Sequence, residues 1–92
     1  MGATVMLERD IEAHLVKRVQ SLGGEVRKTA WIGRNGAPDR FVMLPGGCFW
    51  VELKAPGQKA KPHQQREHER MRKMGQRVEV IDSIEGVEAL LA

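Results

Sequence analysis

Two strand-like runs, Asp39–Leu44 and Cys48–Lys54, flank Pro45-Gly46-Gly47 and set the strongest constraint on what this chain can fold into. Their β-branched and aromatic residues, bounded by turn chemistry, predict an antiparallel hairpin. Directly opposed residues of such a pair share a face, and a slip of one position sends a whole set to the other side. A loop of two or four residues puts Asp39 opposite Glu52 or one same-face step from it. A three-residue loop pairs Asp39 with Leu53 and splits the two carboxylates across the sheet, unless a bulge restores them. The parity of the turn therefore decides whether Asp39 and Glu52 meet.

If they meet, they offer hard oxygen ligands of the kind that Mg²⁺ or Mn²⁺ prefers. Lys54 follows Glu52 by two positions, so both side chains leave the strand on one face. A carboxylate-bound cation beside an ammonium can generate a hydroxide nucleophile and stabilise a pentavalent phosphoryl transition state. Each residue also has a plainer reading. Asp39 suits a turn after Pro38, Lys54 suits a strand end, and Glu52 could be half of an internal salt bridge with Lys54 or Arg40. Glu52 resists the plain reading most, because Phe49-Trp50-Val51-Glu52-Leu53 is apolar enough for a central strand. An unpaired carboxylate there is costly.

Around the hairpin, the pattern predicts α-β-β-β-α-β-α. Ile11, Leu15, Val19 and Leu22 recur at helical spacing within Leu7–Leu22, and Gly23-Gly24 supplies the stop. Thr4 is the expected N-cap. Glu25–Ile32 favours a strand, and Gly33–Pro38 is turn chemistry throughout. Pro62 opens a second helix that ends near Met74, with Gly75 beyond it. Arg77–Ile81 is a strand, and Asp82 with Glu85 forms a capping box for a last helix through Leu91. On the first helix, Glu8 lies roughly 20° from the centre of the apolar stripe and Glu12 about 60° at 100° per residue, which makes Glu8 the inward carboxylate. A first-turn acid favoured by the helix dipole is its plain alternative.

Gln64 stands four residues before His68 and seven before Met71, a spacing that suits the helix face turned to the sheet, with an ordinary solvated first-turn glutamine as its plain alternative and Gln65 as the neighbour that could replace it. His68 itself reads as a helix-surface histidine, and Trp31 and Trp50 as core. Lys59, Lys61, Arg66 and Arg70 suit phosphate contacts, although Glu67 and Glu69 interrupt the basic set as on a solvated face. The net charge of +3 leans the same way. Ninety-two residues make one small domain, 1–92, with a thin core that dimerisation would relieve. One cysteine, Cys48, permits no intrachain disulfide. No apolar run approaches a membrane span, and the N-terminus has no signal-peptide h-region. Met1-Gly2 lacks the Ser or Thr that an N-myristoylation start wants at position 6. A cytoplasmic protein is expected.

Gly36-Ala37-Pro38-Asp39, Val51-Glu52-Leu53-Lys54-Ala55-Pro56-Gly57 and Pro62-His63-Gln64 together resemble the PD-(D/E)xK nuclease pattern in its VRR-NUC form, the virus-type replication-repair nucleases. The resemblance runs from Glu8 to Val80-Ile81-Asp82-Ser83. It implies an α/β, restriction-endonuclease-like αβββαβ core, a mixed central sheet flanked by helices, and Mg²⁺- or Mn²⁺-dependent cleavage of DNA. It assigns the metal to Asp39, Glu52 and the Leu53 backbone carbonyl, and a second metal or metal-bound water to Glu8. It further implies that Lys54 orients the attacking water and that Gln64 helps to hold the site. The chain is similar to stand-alone viral and bacterial members, which form homodimers and include cleavers of four-way (Holliday) junctions. A non-cleaving nucleic-acid-binding module of the same fold is the alternative, which exposure or salt-bridging of Asp39, Glu52 and Lys54 would favour. A DNA-end or flap nuclease is a third reading.

Overall fold

The computed structural model describes residues 5–92, so Met1-Gly2 and the expected cap Thr4 lie outside the described residues. Seven elements follow in the order expected: α1 (Glu8–Ser21), β1 (Glu25–Lys28), β2 (Arg40–Leu44), β3 (Gly47–Leu53), α2 (Pro62–Lys73), β4 (Val78–Ile81) and α3 (Ile84–Leu91). The sheet runs β1-β2-β3-β4, antiparallel through β3 and parallel between β3 and β4, where α2 makes the crossover. This is the mixed sheet flanked by helices of a restriction-endonuclease-like core.

Alternation on β3 separates two chemistries. Phe49, Val51 and Leu53 point to one face and build the core with Val42, Ile81, the α1 residues Ile11, Leu15 and Val19, and Val87 of α3. Trp50, Glu52 and Lys54 point to the other, where α2 lies. Leu22, expected in the α1 stripe, instead forms the half-exposed C-cap.

Local chemistry fixes the ends. Leu7 takes the N-cap of α1, and its N–H donates to Asp10 Oδ2 at 2.8 Å. Pro62 occupies the first position of α2, and Gly75 follows the Met74 C-cap at φ +82°, a conformation glycine adopts without strain. The third helix corrects the expected cap. Ser83 Oγ accepts from the Gly86 N–H at 2.9 Å, while Asp82 Oδ2 accepts from the Gly57 N–H at 3.2 Å and ties the loop after β3 to β4.

The first strand is shorter than expected, ending at Lys28 rather than Ile32. Thr29 N–H donates to the Asp39 carbonyl and its Oγ donates to the Pro38 carbonyl at 2.6 Å. Beyond that tie the chain leaves the sheet. The Trp31 side chain is drawn to α2 and Ile32 is left fully exposed. Among the described residues, no helix is long and apolar enough to cross a membrane.

Candidate active site

The hairpin turn comprises Pro45-Gly46 alone. Leu44 pairs with Gly47 and Arg40 with Val51, so continuing the register sets Asp39 opposite Glu52. Pro38 then falls opposite Leu53 and has no N–H to give to the Leu53 carbonyl. The ladder between β2 and β3 stops there. Leu53 N–H turns to the Asp39 side chain, donating to Oδ2 at 2.9 Å. The N–H and carbonyl of one strand residue leave on the same side. The Leu53 carbonyl therefore faces the Asp39 side with no ladder donor from β2.

Glu52 is 1% exposed. Its Oε2 accepts from Gln64 Nε2 at 3.0 Å and lies 3.1 Å from Lys54 Nζ, whereas its Oε1 is buried with no hydrogen-bond partner among the described residues. Burial pushes the Glu52 carboxyl above the usual carboxylate range, and the Asp39 charge pushes it further against the opposing pull of Lys54. Lys54 Nζ donates to Gln64 Oε1 at 2.9 Å, and the same oxygen accepts from the Lys61 N–H at 2.8 Å. One amide thus spans a carboxylate, an ammonium and the start of α2. Gln65 turns away, its Nε2 donating to the Ala60 carbonyl at 2.7 Å. Asp39, Glu52, Lys54, Gln64 and the Leu53 backbone come together.

Glu8 stands differently from the helical-phase expectation. It is exposed and makes no hydrogen bond among the described residues, whereas Glu12 is half-buried and pairs with Arg40. Both glutamates lie one turn apart at the entrance of α1, but Arg40 draws Glu12 inward. Burial lowers the Arg40 pKa, and the charges of Glu8 and Glu52 oppose that shift. Arg40 is thus the electrostatic link between α1 and the carboxylate pair. Its place in the sequence beside Asp39 was the available signal for that role.

Two further residues were hidden by the polar pattern of α2. Glu67 is 6% exposed and gathers Trp31 Nε1 at 2.7 Å, Arg70 Nε at 2.9 Å and Arg34 at 3.1 Å. Burial raises its carboxyl, but bonds from Arg70 and Trp31 with the charge of Arg34 outweigh that and hold it below its ordinary value. Gly36, at φ +94°, packs against the same residue, and a Cβ there would meet Glu67 Cβ at 2.8 Å. The segment leading to Asp39 is therefore clasped onto α2. His68, expected on the surface, is 1% exposed and its Nε2 has no hydrogen-bond partner among the described residues. Burial first, and then Arg72, lowers its pKa, while the Asp39 charge raises it.

Lys59, Lys61, Arg66 and Arg70 are all exposed. Arg66 and Arg70 flank an open depression of about 470 Å³ along the outer face of α2, away from the carboxylates, and Lys59 flanks a second of about 340 Å³. Among the described residues, no group of three or more His, Cys, Asp or Glu side chains converges on one point. Two carboxylates and the Leu53 carbonyl, which receives no ladder N–H from β2, are the oxygen donors at hand. A buried, unpartnered carboxylate oxygen beside a second carboxylate suits a hard divalent cation, which would neutralise the pair and complete that oxygen's coordination.

Comparison with known proteins points the same way. No family model matches the chain. It is 49% identical over 77 residues to "Putative nuclease p44" of Acyrthosiphon pisum secondary endosymbiont phage 1, covering 83% of each protein. A solved structure described as a VRR_NUC domain superposes with a TM-score of 0.84 at 44% identity, covering 91% of this chain and 92% of the other.

Proposed function

The chain belongs to the VRR-NUC family of nucleases, and from that footing we propose that it hydrolyses DNA phosphodiester bonds with Mg²⁺ or Mn²⁺ as cofactor. The observation that carries the metal dependence is the buried, unpartnered Glu52 Oε1 on a carboxylate that already feels Asp39. Asp39, Glu52 and the Leu53 carbonyl would hold the cation, and Glu8 would support a second one or a water. When bound, the metal supplies Lewis acidity and lowers the pKa of water. Lys54, held between Glu52 Oε2 and Gln64 Oε1, places fixed positive charge where negative charge develops on the phosphoryl oxygens. Gln64 keeps both partners in one arrangement. Lys59, Lys61, Arg66 and Arg70 would neutralise backbone phosphates.

A single domain over residues 1–92, acting as a cytoplasmic homodimer, fits the small core. A two-fold dimer presents two sites at fixed separation, as paired nicks in a four-way junction or other branched DNA require. Processing of phage or bacterial DNA during replication, recombination or repair is the setting that fits. The Lys54–Glu52 ion pair is the observation that favours the second reading, a non-cleaving binding module of this fold. That reading leaves Glu52 Oε1 without a purpose. A flap or DNA-end nuclease would use the same chemistry.

Purified protein incubated with labelled four-way, flap, splayed and linear DNA, in Mg²⁺, Mn²⁺ or chelator, separates these readings. Cutting with either metal and none in chelator is expected, with the four-way substrate favoured. Equal cutting of linear and four-way DNA by the dimer would refute the branch preference. Within the site, Gln64→Ala is expected to lower the cleavage rate about 10- to 100-fold, the usual weight of a group that orients metal ligands. Gln65→Ala should stay within about twofold, and equal losses in the two variants would deny Gln64 its role.

A further inference from the structure

A cavity of about 290 Å³ opens between the loop after β1, the middle of β3 and the C-terminal half of α2. Trp31, Trp50, Met71 and Met74 form its apolar walls, with the guanidiniums of Arg34 and Arg70 beside them. Its size falls at the small end of ligand pockets, which suits one ring system rather than a length of strand. Neither tryptophan is core as the sequence suggested; both are only partly buried. The two indoles meet edge-on, with centroids 5.5 Å apart and planes at 67°. Such a pair is not a closed stack and can still take a flat ring against it.

The polar groups define what that ring is. Trp31 Nε1 donates to Glu67 and Trp50 Nε1 to Gln76 Oε1 at 2.9 Å, so both indole donors are already used. The amide nitrogen of Gln76 has no acceptor among the described residues and can donate to a ring nitrogen or carbonyl. Arg34 and Arg70 share the single Glu67 carboxylate, leaving the cavity net positive, as a segment of a polyanion requires. Position adds the last constraint. Trp50 and Glu52 share a face of β3 two residues apart, roughly 7 Å along the strand. Stacked DNA advances about 3.4 Å per nucleotide, so the cavity lies one or two nucleotides from the Asp39–Glu52 pair.

We infer that this cavity receives one unstacked nucleobase of the strand being cut. The inference rests on the nuclease reading and deepens it. A base inside an intact duplex must leave its stack to enter, whereas one at a branch or frayed end is already free. The cavity thereby gives structure selectivity a physical origin.

The test is equilibrium binding in chelator, where cutting is absent. One probe is a splayed duplex carrying 2-aminopurine at the unpaired position nearest the fork, and the other is a fully paired duplex labelled internally. Emission from the unpaired label should fall on saturation, and that from the paired label should not. Met74 is 79% exposed and about 15 Å along the helix from Gln64, so Met74→Glu should leave the fold and the site unchanged. It is expected to weaken binding of the splayed duplex about tenfold, the weight of one stacked base, with the paired duplex within twofold. Met74→Leu should restore binding. Equal loss on both probes would reduce the cavity to general charge attraction, and conversion of a dimer to a monomer by Met74→Glu would make it a contact between two copies. Either result overturns the inference. Cutting of linear duplex in Mg²⁺ or Mn²⁺ reports on the nuclease reading separately. Selective quenching by a protein that cuts nothing would leave the cavity standing alone.

Discussion

Glu52→Gln is expected to lower DNA cleavage on the order of 10³-fold or more while the thermal midpoint holds or rises. The native carboxyl is raised above its ordinary range by burial first and by Asp39 second. A folded-state pKa above the unfolded one means that the native protein binds the proton more tightly. Stability is then fully present below the ordinary carboxylate pKa and declines as pH rises toward the folded value. The native chain bears that cost as pH rises through the folded value, and the glutamine variant does not. Its amide oxygen can take the place of Oε2 and still accept from Gln64 Nε2 and Lys54 Nζ. Asp39→Asn should lose cleavage to a similar degree, because its remaining oxygen can keep the Leu53 N–H but carries no charge for a cation. Cleavage assays at saturating Mg²⁺ or Mn²⁺, paired with thermal melts, check both statements. Activity within tenfold of native in either variant would remove the residue from the site.

The second large effect belongs to a residue outside the proposed metal site. Glu67→Ala is expected to destabilise the fold by about 2–3 kcal/mol, a midpoint loss of roughly 10–20 °C. The alanine strands the Trp31 indole N–H and leaves Arg34 and Arg70 without their shared acceptor. The clasp on the segment that ends at Pro38-Asp39 is then open. Cleavage measured well below the new midpoint should still fall about tenfold or more, since misplacing a reacting group by a fraction of an ångström slows reaction steeply. Because the Glu67 pKa is depressed, its contribution is present above the ordinary carboxylate value and lost as pH falls through the folded one. Native and variant melts should therefore converge in acid. A separation that persists at pH 2 would assign the loss to packing instead.

These residues also show what could be read from the sequence. The hairpin, the Glu52–Lys54 alternation and the α1 stripe follow from periods of 2 and 3.6, and each was legible. The end of β1 was not, because strand propensity continues through Trp31 while the partners that stop the strand, Asp39 and Glu67, are distant in sequence. The same limit applies to α2. Its inward positions, Gln64, Glu67, His68 and Met71, follow the i, i+3, i+4, i+7 rule. Three of the four are polar, so hydrophobic periodicity placed Gln64 only by reference to its neighbours and left Glu67 and His68 on a solvated face. Helical phase ranks Glu8 inward of Glu12 because it ignores the pull of Arg40, which shares the α1 face of the sheet with Val51. The sequence points to a cap one position before Ser83, because Asp82 carries an equally suitable side chain.

The polar underside of α2 also governs how the molecule breathes. A helix seated by hydrogen bonds and ion pairs, with Met71 as its buried apolar anchor, gains little from hydrophobic burial. Its amides should exchange with solvent through local opening events well below the free energy of global unfolding, while those of β3 and α1 report the global value. Gln64 rides on that helix. A substrate that engages α2 would slow this exchange, because it binds the assembled site and depletes the opened minority in which Gln64 has left it.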